Sequence, residues 1–194
     1  MIPATMQQKD PYAFFARYLS GFFERITSVA QEEVLREVGS LNAKVALDVC
    51  CGTGAQAERY VLAGARKVFG LDGSQAMVEV AKRGRPGGIE FSLGDARNLP
   101  YEDKSIDLAS ITLSLHEQEE KDRAKILAEM MRVTVPEGLV VITDYSADQR
   151  SLAGAFFKFL EWTSGGEHYQ NYRRWVSEGG VQGFLQRHNT QRYK

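Results

Sequence analysis

The sequence lacks a cysteine framework. It holds only two cysteines, Cys50 and Cys51, and they are neighbours in the chain. Neighbouring cysteines rarely form a disulfide, because closing the ring strains the peptide between them. The composition therefore excludes a disulfide-stabilised secreted domain and favours a reduced, cytoplasmic setting.

Charge of one sign and long apolar runs are also lacking. The 24 basic and 25 acidic side chains give a net charge of −1, so we expect no basic surface for nucleic acid. No apolar run approaches the roughly 18 residues of a membrane span, and the N-terminus has no secretory apolar region. The 194 residues suffice for one domain, 1–194, with a substantial core. The expected partner is a small molecule.

Histidine is scarce as well. The three histidines, His116, His168 and His188, show no metal-ligand spacing with the two cysteines. We therefore expect no metal site. Both cysteines are interpreted as small side chains that let the backbone approach a ligand.

The most informative stretch is residues 45–57, Val-Ala-Leu-Asp-Val-Cys-Cys-Gly-Thr-Gly-Ala-Gln-Ala. A short apolar run leads into a turn containing Gly52 and Gly54, and a helical pattern follows. This order places backbone N–H groups and a helix N-terminus against a nucleotide-like ligand. Asp72 ends the next apolar run, where a carboxylate suits the two hydroxyls of a ribose.

The glycine spacing alone leaves two ligands open. Gly52, Gly54 and Ala57 also fit the fingerprint of an NAD-binding loop. Asp48 would repel a pyrophosphate but suits a ligand that carries an ammonium and a sulfonium, such as S-adenosylmethionine. Capping of the following helix is the alternative role for Asp48. Asp95 follows a third strand-like run and is placed to meet an adenine amino group.

Four segments, 48–54, 70–78, 94–100 and 105–108, together resemble the class I S-adenosylmethionine-dependent methyltransferases. The closest group is that of the ubiquinone/menaquinone-biosynthesis methyltransferases. The resemblance covers roughly residues 40–146 and departs at Cys50, where the family usually has glycine. It implies S-adenosyl-L-methionine as cofactor and S-adenosyl-L-homocysteine as product. The cofactor-binding residues that it implies are Asp48, Cys50, Gly52, Gly54, Asp72, Gly73, Met77, Asp95, Ala96, Thr112 and Leu113.

Strand-like and helical patterns alternate through the middle of the chain. The predicted strands are 44–49, 67–71, 89–93, 107–113 and 138–143, and the predicted helices are 55–63, 74–83 and 119–132. This alternation predicts an α/β fold, a three-layer Rossmann-like methyltransferase fold with a mainly parallel sheet and helices on both faces. The acids that follow the strands then share the carboxyl edge, where open α/β sheets bind ligands.

Two helical segments flank this cofactor-binding core, 40–146. The N-terminal cap, 1–39, is predicted as two helices, the first capped by Asp10 and the second running from about Thr27 to Val38. They cover an edge of the sheet or form a lid, with Tyr12 and Tyr18 as candidate acceptor contacts.

The C-terminal substrate cap, 147–194, is rich in aromatic residues and is predicted to hold helices at about 150–162 and 170–187. These helices pack on each other or form an apolar substrate pocket. The candidate polar contacts of such a pocket are Tyr145, His168, Tyr169 and Tyr172.

The expected activity is in-line transfer of the sulfonium methyl to a small, apolar or aromatic acceptor. His116 lies in a segment that resembles the family's Leu-His segment at the methyl-transfer pocket, and it is a general base or a wall residue. The alternatives are a regulatory or assembly protein that binds S-adenosylmethionine without turnover, and an NAD-dependent oxidoreductase.

The strand hairpin with which the family usually completes its sheet is short or missing after residue 146. An uncovered strand edge invites pairing with another chain. We therefore expect a homodimer or a strand exchange at the edge of the fifth strand.

Overall fold

A computed structural model gives the fold of the chain. It describes residues 10, 12–85, 87–146, 148, 154, 158, 161–162 and 166–188. The strands are β1 (Val45–Val49), β2 (Lys67–Asp72), β3 (Ile89–Leu93), β4 (Ile106–Thr112) and β5 (Thr134–Thr143). They form one parallel sheet in the order β3-β2-β1-β4-β5. The predicted α/β class and the parallel sheet are confirmed.

Helices follow the strands and flank them. They are α1 (Ala13–Tyr18), α2 (Ser20–Val38), α3 (Ala55–Leu62), α4 (Gln75–Gly84), α5 (Glu120–Val133), α6 (Gly166–Ser177) and α7 (Gly180–Arg187). A 3₁₀ turn, Leu115–Glu117, follows β4. No described helix combines the length and the apolar character that crossing a membrane requires.

The central strand β1 shows why helices cover both faces. All five of its residues are buried, and its side chains alternate between two hydrophobic clusters. Val45, Leu47 and Val49 belong to the cluster that includes residues of α5, α6 and α7. Ala46 belongs to the other cluster, which includes residues of α2 and α3.

Two predicted boundaries were wrong. The break between the first two helices falls at Leu19 rather than near Thr27. The hydroxyls of Thr27 and Ser28 bond back to the carbonyls of residues 24 and 25, so α2 continues through them. The fifth strand, predicted over 138–143, begins at Thr134, and its pairing with β4 shifts register between Ile106 and Leu108.

β5 is the outermost strand on its side of the sheet, and β3 is outermost on the other. Within the described part of the chain, no hairpin extends the sheet beyond β5. The homodimer expected at this edge stays a prediction.

A buried arginine fixes the 3₁₀ turn against α6. Arg123 of α5 is 0% exposed, and its guanidinium lies 4.9 Å from the ring centroid of Trp175. It donates hydrogen bonds to the carbonyls of Leu115 at 2.9 Å, His116 at 3.4 Å and Asn171 at 3.1 Å. One buried cation therefore bonds to backbone carbonyls of both the 3₁₀ turn and α6.

Replacing Arg123 should lower the stability of the chain markedly. In Arg123→Ala, three buried carbonyls lose a charged donor, and we expect a loss of about 3 kcal/mol in the free energy of unfolding. Urea unfolding followed by circular dichroism measures this loss. Arg174→Ala, on the exposed side of α6, is the matched control and should change stability by less than about 0.5 kcal/mol. Equal effects of the two changes would contradict the role of Arg123.

Candidate active site

The loop between β1 and α3 has an unusual backbone. Cys50, Gly52 and Gly54 all have positive φ angles, 55°, 54° and 81°. A side chain at Gly54 would place its Cβ 2.5 Å from the ring of Phe91, whereas the space around Gly52 is open. Glycine at position 54 is therefore a packing requirement, and the loop leaves room for a ligand at Gly52. Cys50 adopts a backbone conformation that favours glycine, the residue that the family usually has there.

Asp72 lies where the sequence placed it, at the carboxyl end of β2 beside this loop. Its carboxylate accepts the N–H of Gly52 at 2.7 Å and the N–H of Ser74 at 2.8 Å. Burial raises the pKa of Asp72, and these two hydrogen bonds oppose the rise. Each oxygen keeps a lone pair with which it can accept a hydrogen bond from a ribose hydroxyl.

Asp48 lies beneath the loop rather than in it. Its side chain is buried with 2% exposure, and Oδ1 accepts a hydrogen bond from Ser110 at 3.3 Å. The other oxygen, Oδ2, has no hydrogen-bond partner. Burial raises the pKa of Asp48 to about 7, and the N–H of Ala57 in α3 opposes the rise. Because Oδ2 has no partner, the geometry does not decide between the two roles, and both the capping of α3 and a direct contact with the ligand stay predictions.

Asp95 is exposed and paired. Its carboxylate accepts from the guanidinium of Arg97 at 2.8 Å, and that hydrogen bond lowers the pKa of Asp95. Arg97 also reaches Asp122 at 3.0 Å. An adenine amino group would therefore have to share this carboxylate with Arg97, which the sequence had not indicated.

The remaining predicted cofactor residues follow the strands at the same edge. Gly73 is exposed, and Met77 and Ala96 are buried. The hydroxyl of Thr112 is buried without a hydrogen-bond partner. Leu113 has a φ of 52° and donates its N–H to Thr143 at 2.7 Å. Strained backbone thus occurs after β1, at Cys50, and after β4, and strain of this kind clusters at functional sites.

The N-terminal segment crosses this edge of the sheet. Asp10 accepts hydrogen bonds from Ser74 Oγ at 2.7 Å and from the N–H of Ala76 at 3.0 Å, at the start of α4. The hydroxyl of Tyr12 donates to Glu117 at 2.5 Å, in the 3₁₀ turn. The segment is therefore attached on both sides of the predicted cofactor site, as a lid would be.

Tyr18, the second tyrosine predicted as an acceptor contact, does not join the site. Its side chain is 65% exposed, and its ring lies 5.1 Å from that of Phe14, which is also exposed. The sequence could not distinguish Tyr18 from Tyr12, because both fall on the same predicted helix.

Arg85 attaches the glycine loop to the helices around it, a role that the sequence did not indicate. Its guanidinium pairs with Glu24 of α2 and with Glu58 of α3, the latter at 2.6 Å. It also donates to the carbonyl of Thr53 at 2.9 Å, and the hydroxyl of Thr53 donates to Glu24. Arg85 thereby links the loop to α2 and α3.

A second cluster lies at the carboxyl ends of β4 and β5. The rings of Tyr145, His168 and Tyr172 surround His116, with centroids 4.7, 6.0 and 6.1 Å from its own. The centroid of Tyr169 lies 6.1 Å from that of Tyr172. The structure therefore brings together these predicted acceptor contacts, which lie far apart in the sequence.

Carboxylates accompany the aromatic rings. Asp144 accepts from His116 Nδ1 at 2.7 Å, and Glu161 contacts His168 Nε2 at 2.7 Å. The hydroxyl of Tyr145 donates to Glu161 at 3.0 Å. No pattern in the sequence indicated Glu161, which lies 45 residues after His116 in the chain. Glu117 could have been suspected only because it follows His116.

The protonation of His116 does not fit the predicted base. Burial alone would lower its pKa, but the charge and the hydrogen bond of Asp144 raise it to about 10. An imidazole with this pKa is protonated at neutral pH and accepts no further proton. This protonation favours the alternative of a wall residue, and the choice between a wall residue and a general base stays a prediction.

A glycine loop with an acid at the end of the next strand, both at the carboxyl edge of a parallel sheet, defines a Rossmann-like domain for a nucleoside cofactor. The aromatic cluster around His116 lies at the same edge. A methyltransferase-domain family model matches residues 46–138.

Known proteins with this architecture support the same class. The demethylmenaquinone methyltransferase of Renibacterium salmoninarum is 42% identical over 113 residues, which are 58% of this chain and 46% of that protein. The demethylmenaquinone methyltransferase of Geobacillus kaustophilus is 32% identical over 161 residues, covering 73% of this chain and 68% of that protein. A Methanococcus maripaludis structure, described as an S-adenosylmethionine-dependent methyltransferase, has a TM-score of 0.68 at 20% identity, covering 100% of this chain and 91% of its own. At that identity the likeness shows the fold alone.

The chain belongs to the class I S-adenosylmethionine-dependent methyltransferases, in the group of the ubiquinone/menaquinone-biosynthesis methyltransferases. The family identifies S-adenosylmethionine as the cofactor and decides against the NAD alternative. The chain spans about half the length of the first curated relatives that it matches, 46% and 43%.

Asp48→Asn should make the stability of the chain less sensitive to pH. The pKa of Asp48 is about 7 in the folded chain and about 3.9 in an unfolded one. The wild-type chain therefore loses stability as the pH rises from about 4 to about 7, because the unfolded state releases its proton first. The variant has no such proton, so its stability should rise relative to wild type across this window and then level off.

Thermal unfolding midpoints from pH 4 to pH 8 measure this difference. Glu102→Gln, at an exposed position, is the matched control. A difference between Asp48→Asn and wild type that stays constant with pH would contradict the raised pKa.

Proposed function

We propose that the chain transfers the sulfonium methyl of S-adenosylmethionine to a small aromatic acceptor held by the cluster around His116. The observation that carries the proposal is the position of Tyr12. Its hydroxyl bonds to Glu117 beside that cluster, and Asp10, two residues earlier, bonds to Ser74 beside Asp72. Burial and Glu117 raise the pKa of Tyr12, and the charge of Asp72 on the cofactor side adds to the rise. Tyr12 therefore lies between the two sites, where a methyl group would pass from one to the other.

The rings that surround His116 support an aromatic acceptor. Tyr145 and Tyr172 are T-shaped to each other with centroids 5.2 Å apart, and a planar ring can pack on such edges and faces. The Renibacterium salmoninarum and Geobacillus kaustophilus relatives are, by their names, methyltransferases of demethylmenaquinone. We propose a hydroquinone-type bicyclic ring as the acceptor class, with a polar edge towards Glu117 and Glu161.

The chemistry that the chain must supply is mostly alignment. The methyl of a sulfonium is already activated. In-line displacement therefore needs the acceptor atom on the side of the methyl opposite the sulfur, and little water around it. In this proposal Asp72 holds the ribose, and the loop at Gly52 and Gly54 lets the backbone approach the cofactor. Asp48 acts indirectly by supporting that loop. Tyr12 and the lid exclude water.

Asp72→Ala should weaken binding of both S-adenosylmethionine and S-adenosylhomocysteine. The loss of hydrogen bonds from the ribose to a charged acceptor is worth about 1.5–3 kcal/mol, or roughly 10-fold to 150-fold in the dissociation constant. Isothermal titration measures both ligands. Asp95→Ala is the matched control at the next strand and should change the affinity less, because Arg97 already occupies that carboxylate. Unchanged affinity in folded Asp72→Ala would remove Asp72 from the site.

Methyl transfer is tested directly with cofactor labelled in the methyl group. We expect label in a naphthohydroquinone acceptor, and little in simple amines or phenols offered at the same concentration. Tyr12→Phe should slow transfer by about 10-fold, because the lid loses its bond to Glu117. Tyr18→Phe, at the exposed C-terminal end of α1, is the matched control. Cofactor binding without transfer to any acceptor would favour the alternative of a binding protein without turnover.

A further inference from the structure

Two histidines and two glutamates converge at the acceptor end of the site. His116 Nε2, His168 Nε2 and one carboxylate oxygen of Glu117 all lie within 4.8 Å of one another. Glu117 Oε1 is 3.9 Å from each of the two imidazole nitrogens. Glu161 reaches the same nitrogens with its two oxygens, at 3.4 Å from His116 and 2.7 Å from His168. Glu161 is therefore a fourth potential ligand beside these three, and the four residues come from three separate chain segments.

His116 is oriented towards that point with one nitrogen unused. Its side chain is 2% exposed, and Nε2 has no hydrogen-bond partner, since the approach to Glu161 is an ion-pair contact only. The other nitrogen, Nδ1, is fixed by Asp144 at 2.7 Å. Asp144 is itself held by the N–H groups of His116 at 3.1 Å and Tyr145 at 2.7 Å. A carboxylate behind a histidine in this way is the usual support of a metal-ligating imidazole.

The distances suit a bound ion. Zinc bonds of about 2.0–2.2 Å place tetrahedral ligand atoms about 3.4 Å apart. The contacts of 3.4 and 3.9 Å around His116 lie close to this spacing, whereas the 2.7 Å hydrogen bond between His168 and Glu161 must open for both to bind the ion. An ion would also balance the carboxylates of Glu117, Glu161 and Asp144, which lie in a largely buried cluster.

We propose that His116, Glu117, Glu161 and His168 bind a divalent transition-metal ion, with Zn²⁺ as the ion that fits the ligands best. Two imidazoles with carboxylates select zinc or another borderline metal over calcium and magnesium, which prefer all-oxygen sites. The expectation from the sequence, that the chain holds no metal, rested on spacing to the cysteines and did not consider these four residues together. This site lies beside Tyr12 and therefore faces the acceptor.

The role of the ion, unlike the site itself, rests on the proposed function. An open coordination position would hold an oxygen of the acceptor ring next to the methyl group. A metal at that position lowers the pKa of a bound hydroxyl and fixes its orientation. His116 would then contribute as a neutral ligand rather than as a base.

Zinc binding by the full chain, stripped with a chelator and dialysed, tests the site without cofactor or acceptor. We expect one Zn²⁺ per chain by equilibrium dialysis with elemental analysis. His168→Gln and Glu117→Gln should each weaken binding at least 10-fold, and Asp144→Asn by about 10-fold to 100-fold. His188→Gln is the matched control, because His188 lies outside the cluster against Glu120. Circular dichroism and titration with S-adenosylhomocysteine establish that the variants are folded.

The neighbouring cysteines are the other zinc-prone group and need their own control. The double variant Cys50→Ala and Cys51→Ala should keep its zinc if the proposal is right. Loss of zinc in that variant, with retention in His168→Gln, would overturn it. Absence of stoichiometric zinc in the wild-type chain would also overturn it. Neither result would decide whether the chain transfers a methyl group, because the labelled-cofactor assay measures that activity separately.

Discussion

One carboxylate connects the parts of the site that bind the cofactor. Asp72 accepts the N–H of Gly52 in the glycine loop and the N–H of Ser74 at the start of α4. Ser74 in turn donates its hydroxyl to Asp10, and Tyr12 in the same segment donates to Glu117. Hydrogen bonds therefore link the end of β2, the loop and α4 to the N-terminal segment, and through Tyr12 they reach the 3₁₀ turn.

The opposite end of the site is arranged differently. There the polar groups are enclosed by aromatic rings, and Arg123 holds the backbone of the turn from behind. Burial alone would raise the pKa of Glu161, but the hydrogen bonds and charges of His116 and His168 lower it to about 2, so this carboxylate stays charged. Enclosed charges of this kind cost desolvation free energy unless each has a partner. Their presence supports the proposal that an acceptor binds at this cluster.

The sequence predicted those features of the fold and of the site that depend on the order of neighbouring residues. The five strands and the helices between them follow from alternating apolar runs, and the positions of Asp72 and the glycine loop follow from the strand ends. The burial of Asp48 and the pairing of Asp95 with Arg97 could not be predicted, because they depend on side-chain direction. The contacts of Glu161 and Glu117 with His116 and His168 join distant segments, and no periodicity records such pairs. The break at Leu19 was missed because hydroxyls at 27 and 28 can be accommodated inside a helix.

Cys50 places a sulfur in the glycine loop, at a position where a glycine would leave only backbone. Burial raises the pKa of this thiol well above its ordinary value, and the charges of Asp72 and Glu117 add to the rise. Only a thiolate is a strong nucleophile, so the protonated Cys50 does not compete with the acceptor. The buried acids beside Cys50 therefore keep its thiol in the form that a methyl donor alkylates least.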